Sequence, residues 1–241
     1  MRKKTNLTFQ DKTLPSQPLF REYFEGDEES FLTALYNTIV KFSGLISPME
    51  KFEIYKSEEV DFELMASSPI MLQFLQYLVL ITSAKRILEI GTFVGVSAMS
   101  MASVLSEDGR VITIEKYGHF ADIARRNVIR NKLSDKVEVI HGDAFQELKK
   151  LANTQLFDFI FLDGNKERYY EYFTLLDPLL KGNGVLVVDD VFFHGDVLNG
   201  KPKSKKGAGV LKFLENVRTL DSYFKVILPV SNGMMLMLKR S

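Results

Sequence analysis

The chain has 241 residues, enough for one α/β domain of ordinary size with an extension but cramped for two full domains. Lysine plus arginine and aspartate plus glutamate both number 31, so no overall field favours nucleic acid or an anionic membrane surface. Cysteine is absent, which excludes disulfides, thiolate metal sites and cysteine nucleophiles together and fits a reducing, cytoplasmic setting.

Residues 1–20 carry Pro15 and Pro18 among polar neighbours and read as a loose arm. The opening Met1-Arg-Lys-Lys-Thr-Asn6 leads into polar residues, so no secretory signal is expected. Asp27-Glu-Glu-Ser30 reads as a helix start, with Phe31, Leu35, Ile39 and Phe42 at helical spacing behind it. Residues 51–63 are dense in charge and match no element. Residues 1–60 are therefore expected to form an arm and helical extension, and 61–241 the main domain. Ser67-Ser-Pro69 opens a helix over Ile70–Thr82, because proline suits a first turn. Its apolar run from Ile70 to Ile81, interrupted by Gln73 and Gln76, is too short to span a bilayer.

Arg86–Ile90 reads as a strand buried on both faces, which leaves Glu89 out of place. A carboxylate there is costly to desolvate, so it should be hydrogen-bonded at the edge where open α/β sheets bind ligands. Gly91 and Gly95 let the backbone turn and approach such a ligand. A helix follows over Val96–Leu105. Strands are then expected at Arg110–Glu115, Lys136–His141, Phe157–Leu162 and Val185–Val188, alternating with helices at Phe120–Asn131, Ala144–Leu151 and Arg168–Leu180. Such alternation predicts a parallel sheet with right-handed crossovers. The low-complexity patch Lys201–Gly207 reads as a solvated loop, and a helix is expected over Val210–Leu220. Tyr223–Leu228 and Met234–Lys239 are strands joined by only Pro229–Gly233, too short for a crossover, so they should be antiparallel neighbours.

The turn after the first strand has Gly91, Phe93 and Gly95 where a dinucleotide fingerprint needs three glycines, which argues against a nicotinamide cofactor. Glu115, ending the second strand, is placed to accept hydrogen bonds from a ribose diol. Asp163 follows the apolar run Phe159–Leu162, and Asp189 and Asp190 follow Val185–Val188. Two strands ending in acids at one sheet edge bring three carboxylates together, which repel unless a cation sits between them. Oxygen ligands suit a hard ion, magnesium first and manganese or calcium next. His194, in Phe192-Phe-His-Gly-Asp196, is a weaker candidate for metal or substrate, and His119 and His141 are weaker still. Phe192 and Phe193 fit an aromatic wall or core packing equally.

Glu89-Ile-Gly-Thr-Phe-Val-Gly-Val-Ser97 resembles motif I of class I S-adenosylmethionine-dependent methyltransferases. That resemblance implies a Rossmann-like α/β sheet of seven strands in the order 3-2-1-4-5-7-6, its last strand antiparallel, with helices on both faces. Leu162-Asp-Gly-Asn-Lys-Glu-Arg-Tyr169 and Val188-Asp-Asp-Val191 resemble, more narrowly, the metal-dependent O-methyltransferases typified by catechol and caffeoyl-CoA O-methyltransferases. The match runs from about Met65 to Lys239. It implies that Glu89 and the turn Gly91, Thr92, Phe93 hold the methionine end of the cofactor, with Ser97 on its carboxylate and Glu115 on its ribose. Gly142, Asp143 and Ala144 would bracket the adenine, Asp163 would border the cofactor, and Met65 and Ser67 would cover it. Leu72 stands where the family often has glycine, and Asp190 where it usually has asparagine.

By the same resemblance Asp163, Asp189 and Asp190 bind the metal and Lys166 is the general base, its ammonium form disfavoured beside a metal in a partly desolvated pocket. The implied reaction is methyl transfer from S-adenosylmethionine to a hydroxyl of a small phenolic or vicinal-diol acceptor, by a homodimer with no membrane partner. Asn232-Gly-Met-Met235 offers no carboxylate to hold a second hydroxyl, which weakens a strict catechol reading. One alternative acceptor is a hydroxylated uridine in tRNA, with Lys201, Lys203, Lys205 and Lys206 meeting phosphates. Another is a non-catalytic S-adenosylmethionine-binding protein, against which intact Asp163, Lys166 and Asp189 argue.

Overall fold

The computed structural model describes residues 28–56, 65–152 and 156–241; the expected arm over 1–20 and most of the charged stretch 51–63 lie outside the described residues. The chain divides into two units, Met1–Leu45 and Ile46–Ser241. In the first, helix α1 (Glu28–Phe42) forms where the apolar spacing predicts it. The second is built on seven strands, β1 (Arg86–Ile90), β2 (Arg110–Glu115), β3 (Val137–His141), β4 (Phe157–Leu162), β5 (Leu180–Val188), β6 (Tyr223–Leu228) and β7 (Met234–Lys239). Their order is β3-β2-β1-β4-β5-β7-β6, as expected. Strands β1 to β5 are parallel, and β7 runs antiparallel to both β5 and β6.

Successive strand residues point to opposite layers, and both layers are apolar. Leu88, Ile90, Ile160 and Leu162 pack with helices α6 (Ala144–Leu151), α7 (Tyr169–Leu176) and α8 (Lys205–Arg218) through Leu148, Phe173 and Phe213. Ile87, Val111, Phe159 and Val187 pack on the other face with α3 (Pro69–Ile81), α4 (Val96–Ala102) and α5 (Gly118–Arg130) through Leu75, Met99 and Val128. The expected proline start of α3 is present: Pro69 opens the first turn and Ser68 Oγ accepts from Met71 N. No helix among the described residues is long and apolar enough to cross a membrane.

Short helix α2 (Pro48–Lys51) leads into an extended strap over 53–55 that lies on α5. Asn131 exchanges two amide hydrogen bonds with the Glu53 backbone, and Asn127 exchanges two with Tyr55. The asparagines, one helical turn apart, thus stand in for a neighbouring strand. Asn127, fully buried, also donates from Nδ2 to the Val94 carbonyl at 2.9 Å, so it ties the strap to the turn after β1.

Three boundaries differ most from expectation, and α4 also ends at Ala102, short of the expected Leu105. The helix expected over Arg168–Leu180 becomes a 3-10 turn at Lys166–Arg168, then α7, then a second 3-10 turn at Asp177–Leu179. Asp177 keeps α geometry and its N–H still reaches Phe173 O, but Pro178 has no N–H to continue the ladder, so α7 gives way there to the 3-10 turn. Strand β5 begins at Leu180, five residues early, because Leu180 pairs with Phe157; an irregularity with Asn183 at φ +62° follows before Val185 pairs with Phe159. Helix α8 begins at Lys205, not Val210, since Ser204 Oγ accepts from Gly207 N. Lys205 and Lys206 therefore lie in its first turn, and only Lys201 and Lys203 remain in the preceding loop.

Candidate active site

The register of the parallel strands builds the site. Ile90 pairs with Leu162, and Leu162 with Val188, so the residues that follow lie side by side at the C-terminal edge of the sheet. The ladder runs one step further: Asp163 N donates to Ile90 O at 2.9 Å and Asp189 N to Leu162 O at 3.0 Å. Gly91 sits in the same row with φ +96°, its N–H on Ile114 O at 3.0 Å. A Cβ at Gly91 would lie 2.3 Å from the Asp163 carbonyl oxygen. Glycine at this position is therefore dictated first by the approach of β1 to β4, and the open backbone edge follows from it.

Glu115 is the device that shapes the turn. Its Oε2 accepts Thr92 N at 3.1 Å and Phe93 N at 2.8 Å, and its Oε1 accepts Tyr117 N at 2.9 Å. Those bonds account for a buried acid at a strand end and hold Phe93 at φ +50°. Thr92 Oγ1 lies 2.5 Å from Thr113 Oγ1, which donates to Glu89 Oε2 at 2.5 Å. Since Thr113 spends its one proton on Glu89, Thr92 is the donor in the other bond.

Glu89 is fully buried, and its Oε1 makes no hydrogen bond. Burial, opposed by the Ser97 and Thr113 hydroxyls and aided by the charges of Asp163 and Glu115, pushes its pKa up to about 8. An acid raised in the folded state favours folding below its unfolded value and loses that contribution as pH rises through its folded one. The stability difference between Glu89→Gln and the parent should therefore grow from near zero at acid pH to a maximum around pH 8, in favour of the variant. Each unit of displacement is worth about 1.4 kcal/mol. Parallel pH slopes in thermal melts of the two proteins would contradict this assignment.

Asp163, Asp189 and Asp190 each offer an oxygen within 4.8 Å of the others, and among the described residues they are the one such cluster able to share an ion. Burial, then mutual repulsion, raises the carboxyl of Asp189 well above the usual range, and burial likewise raises Asp163. Asp190 holds φ +57°, a left-handed conformation that Asp and Asn tolerate best among residues with side chains. Tyr169, also buried, donates to the Asp189 carbonyl at 3.1 Å and so pins the end of β5 to α7. The oxygen-only set, crowded and short of positive charge, fits a hard divalent ion.

Lys166 Nζ stands 2.5 Å from Asp163 Oδ1 and 3.0 Å from Asp190 Oδ2. Burial pulls its pKa down, but Asp163, Tyr169 and Asp190 outweigh it and hold the ammonium well above its ordinary range. The sequence-based expectation of a disfavoured ammonium is for a lysine beside a bound cation; with only the two carboxylates facing the nitrogen, the ammonium is favoured.

Other expected residues gather around this edge. Ser97 is buried in the first turn of α4, and Asp143 Oδ1 caps α6 by accepting Phe145 N at 3.0 Å, with Ala144 buried behind it. Gly142 N donates to Glu115 O at 2.9 Å, and a Cβ there would meet Glu147 Oε1 at 2.8 Å. Met65 is exposed and Ser67 half-buried; their neighbour Ser68 shares a 2.8 Å hydroxyl contact with Ser231 in the β6–β7 turn. Leu72 is core, packed with Val94 and Val96. Phe192 and Phe193 pack against the core, His194 is exposed with φ +53°, and Phe192 N donates to Asn232 O at 2.7 Å. The loops after β5 and β6 thus form one rim.

The O-methyltransferase family model matches residues 48–240. A catechol O-methyltransferase from Niastella koreensis is 35% identical over 148 residues, spanning 61% of this chain and 67% of the relative. Among solved structures, an O-methyltransferase from Bacillus cereus in complex with SAH superposes with a TM-score of 0.69 at 29% identity, covering 91% of this chain and 94% of that one. The O-methyltransferase TomG from Streptomyces achromogenes, in complex with SAM, gives 0.74 at 30% identity over 85% of this chain and 96% of its own. The sheet order and a family match over most of the second unit lead to one conclusion: the chain belongs to the O-methyltransferase family.

Proposed function

We propose that the protein transfers a methyl group from S-adenosylmethionine to a hydroxyl of a small phenolic or vicinal-diol acceptor, with a divalent ion on Asp163, Asp189 and Asp190 and Lys166 as general base. The observation that carries this reading is the convergence of three aspartates within 4.8 Å, one of them 2.5 Å from Lys166, beside the glycine turn. When bound, S-adenosylmethionine supplies an electrophilic methyl group and the ion, magnesium first and manganese or calcium next, supplies Lewis acidity at the acceptor hydroxyl.

The chain's own groups do the rest. Glu89 Oε1, buried and without a hydrogen bond, offers an acceptor for the ammonium of the methionine moiety. Glu115 Oε2 already takes two N–H groups, but Oε1 takes one and has room for a ribose hydroxyl. With a cation held by the three carboxylates, Lys166 would be held less firmly as the ammonium and could give its proton to solvent, and its neutral Nζ would then take the acceptor's proton. Fixed strand ends hold donor and acceptor at attack distance, which removes much of the entropic barrier.

The test is transfer from labelled S-adenosylmethionine to a phenol panel and to bulk tRNA, with magnesium and with chelator. Label should appear on a small phenol or diol, vanish on chelation and return with magnesium. Transfer indifferent to the chelator removes the metal role; label on tRNA alone favours the alternative suggested by the exposed Lys201, Lys203, Lys205 and Lys206. Cofactor binding without any transfer favours the non-catalytic reading.

A further inference from the structure

Helix α8 is pressed against the back of the Lys166 turn at Gly209. A Cβ on this buried glycine would lie 2.5 Å from the Lys166 carbonyl oxygen and 2.5 Å from Glu167 Cα. Both neighbours are backbone, so neither can swing aside as a long side chain would. The helix is held on that line by other contacts. Ser204 caps it, Lys212 Nζ reaches Glu171 Oε1 on α7 at 2.5 Å, and buried Phe213 packs edge-on to Tyr169 and Phe173. In front, the same turn carries Lys166 to Asp163 Oδ1 and Asp190 Oδ2, and Asn165 Oδ1 accepts Glu167 N at 3.2 Å. The turn is thus wedged between α8 and the acidic cluster.

We propose that Gly209 is a positioning residue for Lys166: by letting α8 touch the backbone of the turn, it sets where Nζ stands relative to the three carboxylates. The inference rests on Lys166 acting as the base. Any side chain at 209 must drive the turn or the helix back by about 1 Å, and a shift of that size away from the chemistry can cost about 100-fold in rate. The groups assigned to the cofactor lie ahead of α3, at the C-terminal ends of β1 to β4 and in the first turns of α4 and α6; α8 carries none of them.

The experiment compares Gly209→Ala, Lys166→Ala and Leu211→Ala with the parent, using catechol as acceptor and S-adenosylhomocysteine as binding probe. Leu211 is half-buried on α8, so its truncation loosens the helix without adding an atom against the turn. Gly209→Ala should lower kcat by about 10- to 100-fold, with acceptor KM and the S-adenosylhomocysteine Kd within about twofold of the parent. Leu211→Ala should keep kcat. Parental kcat in Gly209→Ala, an equal loss in Leu211→Ala, or a loss of probe affinity matching that of kcat would overturn the proposal. Parental kcat in Lys166→Ala would instead overturn the general-base reading. Referring kcat to the fraction that binds the probe corrects for partial folding. If no folded Gly209→Ala is recovered, Asn165→Ala, which frees the turn from its other side, decides: reduced kcat with unchanged probe affinity supports the proposal, and unchanged kcat overturns it.

Discussion

Lys166→Ala should lower methyl transfer by about a hundred- to ten-thousandfold, the usual contribution of a positioned general base, while leaving S-adenosylhomocysteine binding nearly unchanged. The split follows from geometry: Nζ faces Asp163 and Asp190, whereas Glu89, Thr92 and Glu115 form a separate bonded network. The same substitution removes the one cation paired with Asp163 and Asp190 among the described residues, and so acts on stability too. Asp163 and Asp189 already have raised carboxyls through burial, and losing the ammonium raises them further. Acids raised in the folded state stabilise it most below their unfolded values and lose that contribution as pH rises through the folded ones. The variant's deficit in melting temperature should therefore widen from acid to alkaline pH and narrow when magnesium is added. Lys166→Arg separates the two effects, because a guanidinium keeps the charge but does not give up its proton. It should recover stability and not turnover. A Lys166→Arg enzyme at parental rate would exclude proton abstraction at this residue.

The fold was legible where burial is complete. Phe159-Ile-Phe-Leu162 and Val185-Leu-Val-Val188 have few alternatives to central parallel strands, and the short link at 229–233 leaves only an antiparallel return for β7. The misjudged boundaries share a cause. Lys181-Gly-Asn-Gly184 has the composition of a turn, yet Leu180 joins the sheet because Phe157 offers it a partner. Lys201–Gly207 has the composition of a solvated loop, yet Asp196 accepts Lys203 N, Ser204 N and Ser204 Oγ, closing the loop and starting α8 five residues early. In both places a tertiary contact overrides local propensity.

The site divides in the same way. An acid directly after an apolar strand is conspicuous, so Asp163, Asp189 and Glu115 could be picked from sequence, as could the cluster that the register then assembles. What those groups bond to could not. Glu115 as a clamp on Thr92 and Phe93, Asn127 on Val94 and Gly209 behind Lys166 join positions 22 to 43 residues apart, a separation with no periodic signature. The charge state of Lys166 belongs to this second class as well, since it depends on how many carboxylates surround one nitrogen. The chemistry was therefore readable as residue types, and its tuning only as geometry.

Gly91→Ala should be the most damaging substitution that removes no functional group. The new methyl would sit 2.3 Å from the Asp163 carbonyl oxygen on a backbone with φ +96°. Overpacking against rigid backbone and the left-handed strain together cost about 3 kcal/mol. For a chain of this size that corresponds to a fall of roughly 6–12 °C in melting temperature. Gly200→Ala is the matched control, with φ +66° but nothing within 4 Å of the added methyl. Strain alone, partly offset by a stiffer unfolded chain, should cost it about 1 kcal/mol or less. The two variants should also part in function. Relief of the Gly91 clash has to separate the ends of β1 and β4, which moves Asp163 away from Asp189 and the turn away from Glu115. S-Adenosylhomocysteine affinity and turnover should fall together in Gly91→Ala and stay parental in Gly200→Ala, as calorimetry and the labelled-methyl assay would register. Equal losses in the two variants would mean that φ, and not the contact with Asp163, makes glycine necessary at 91.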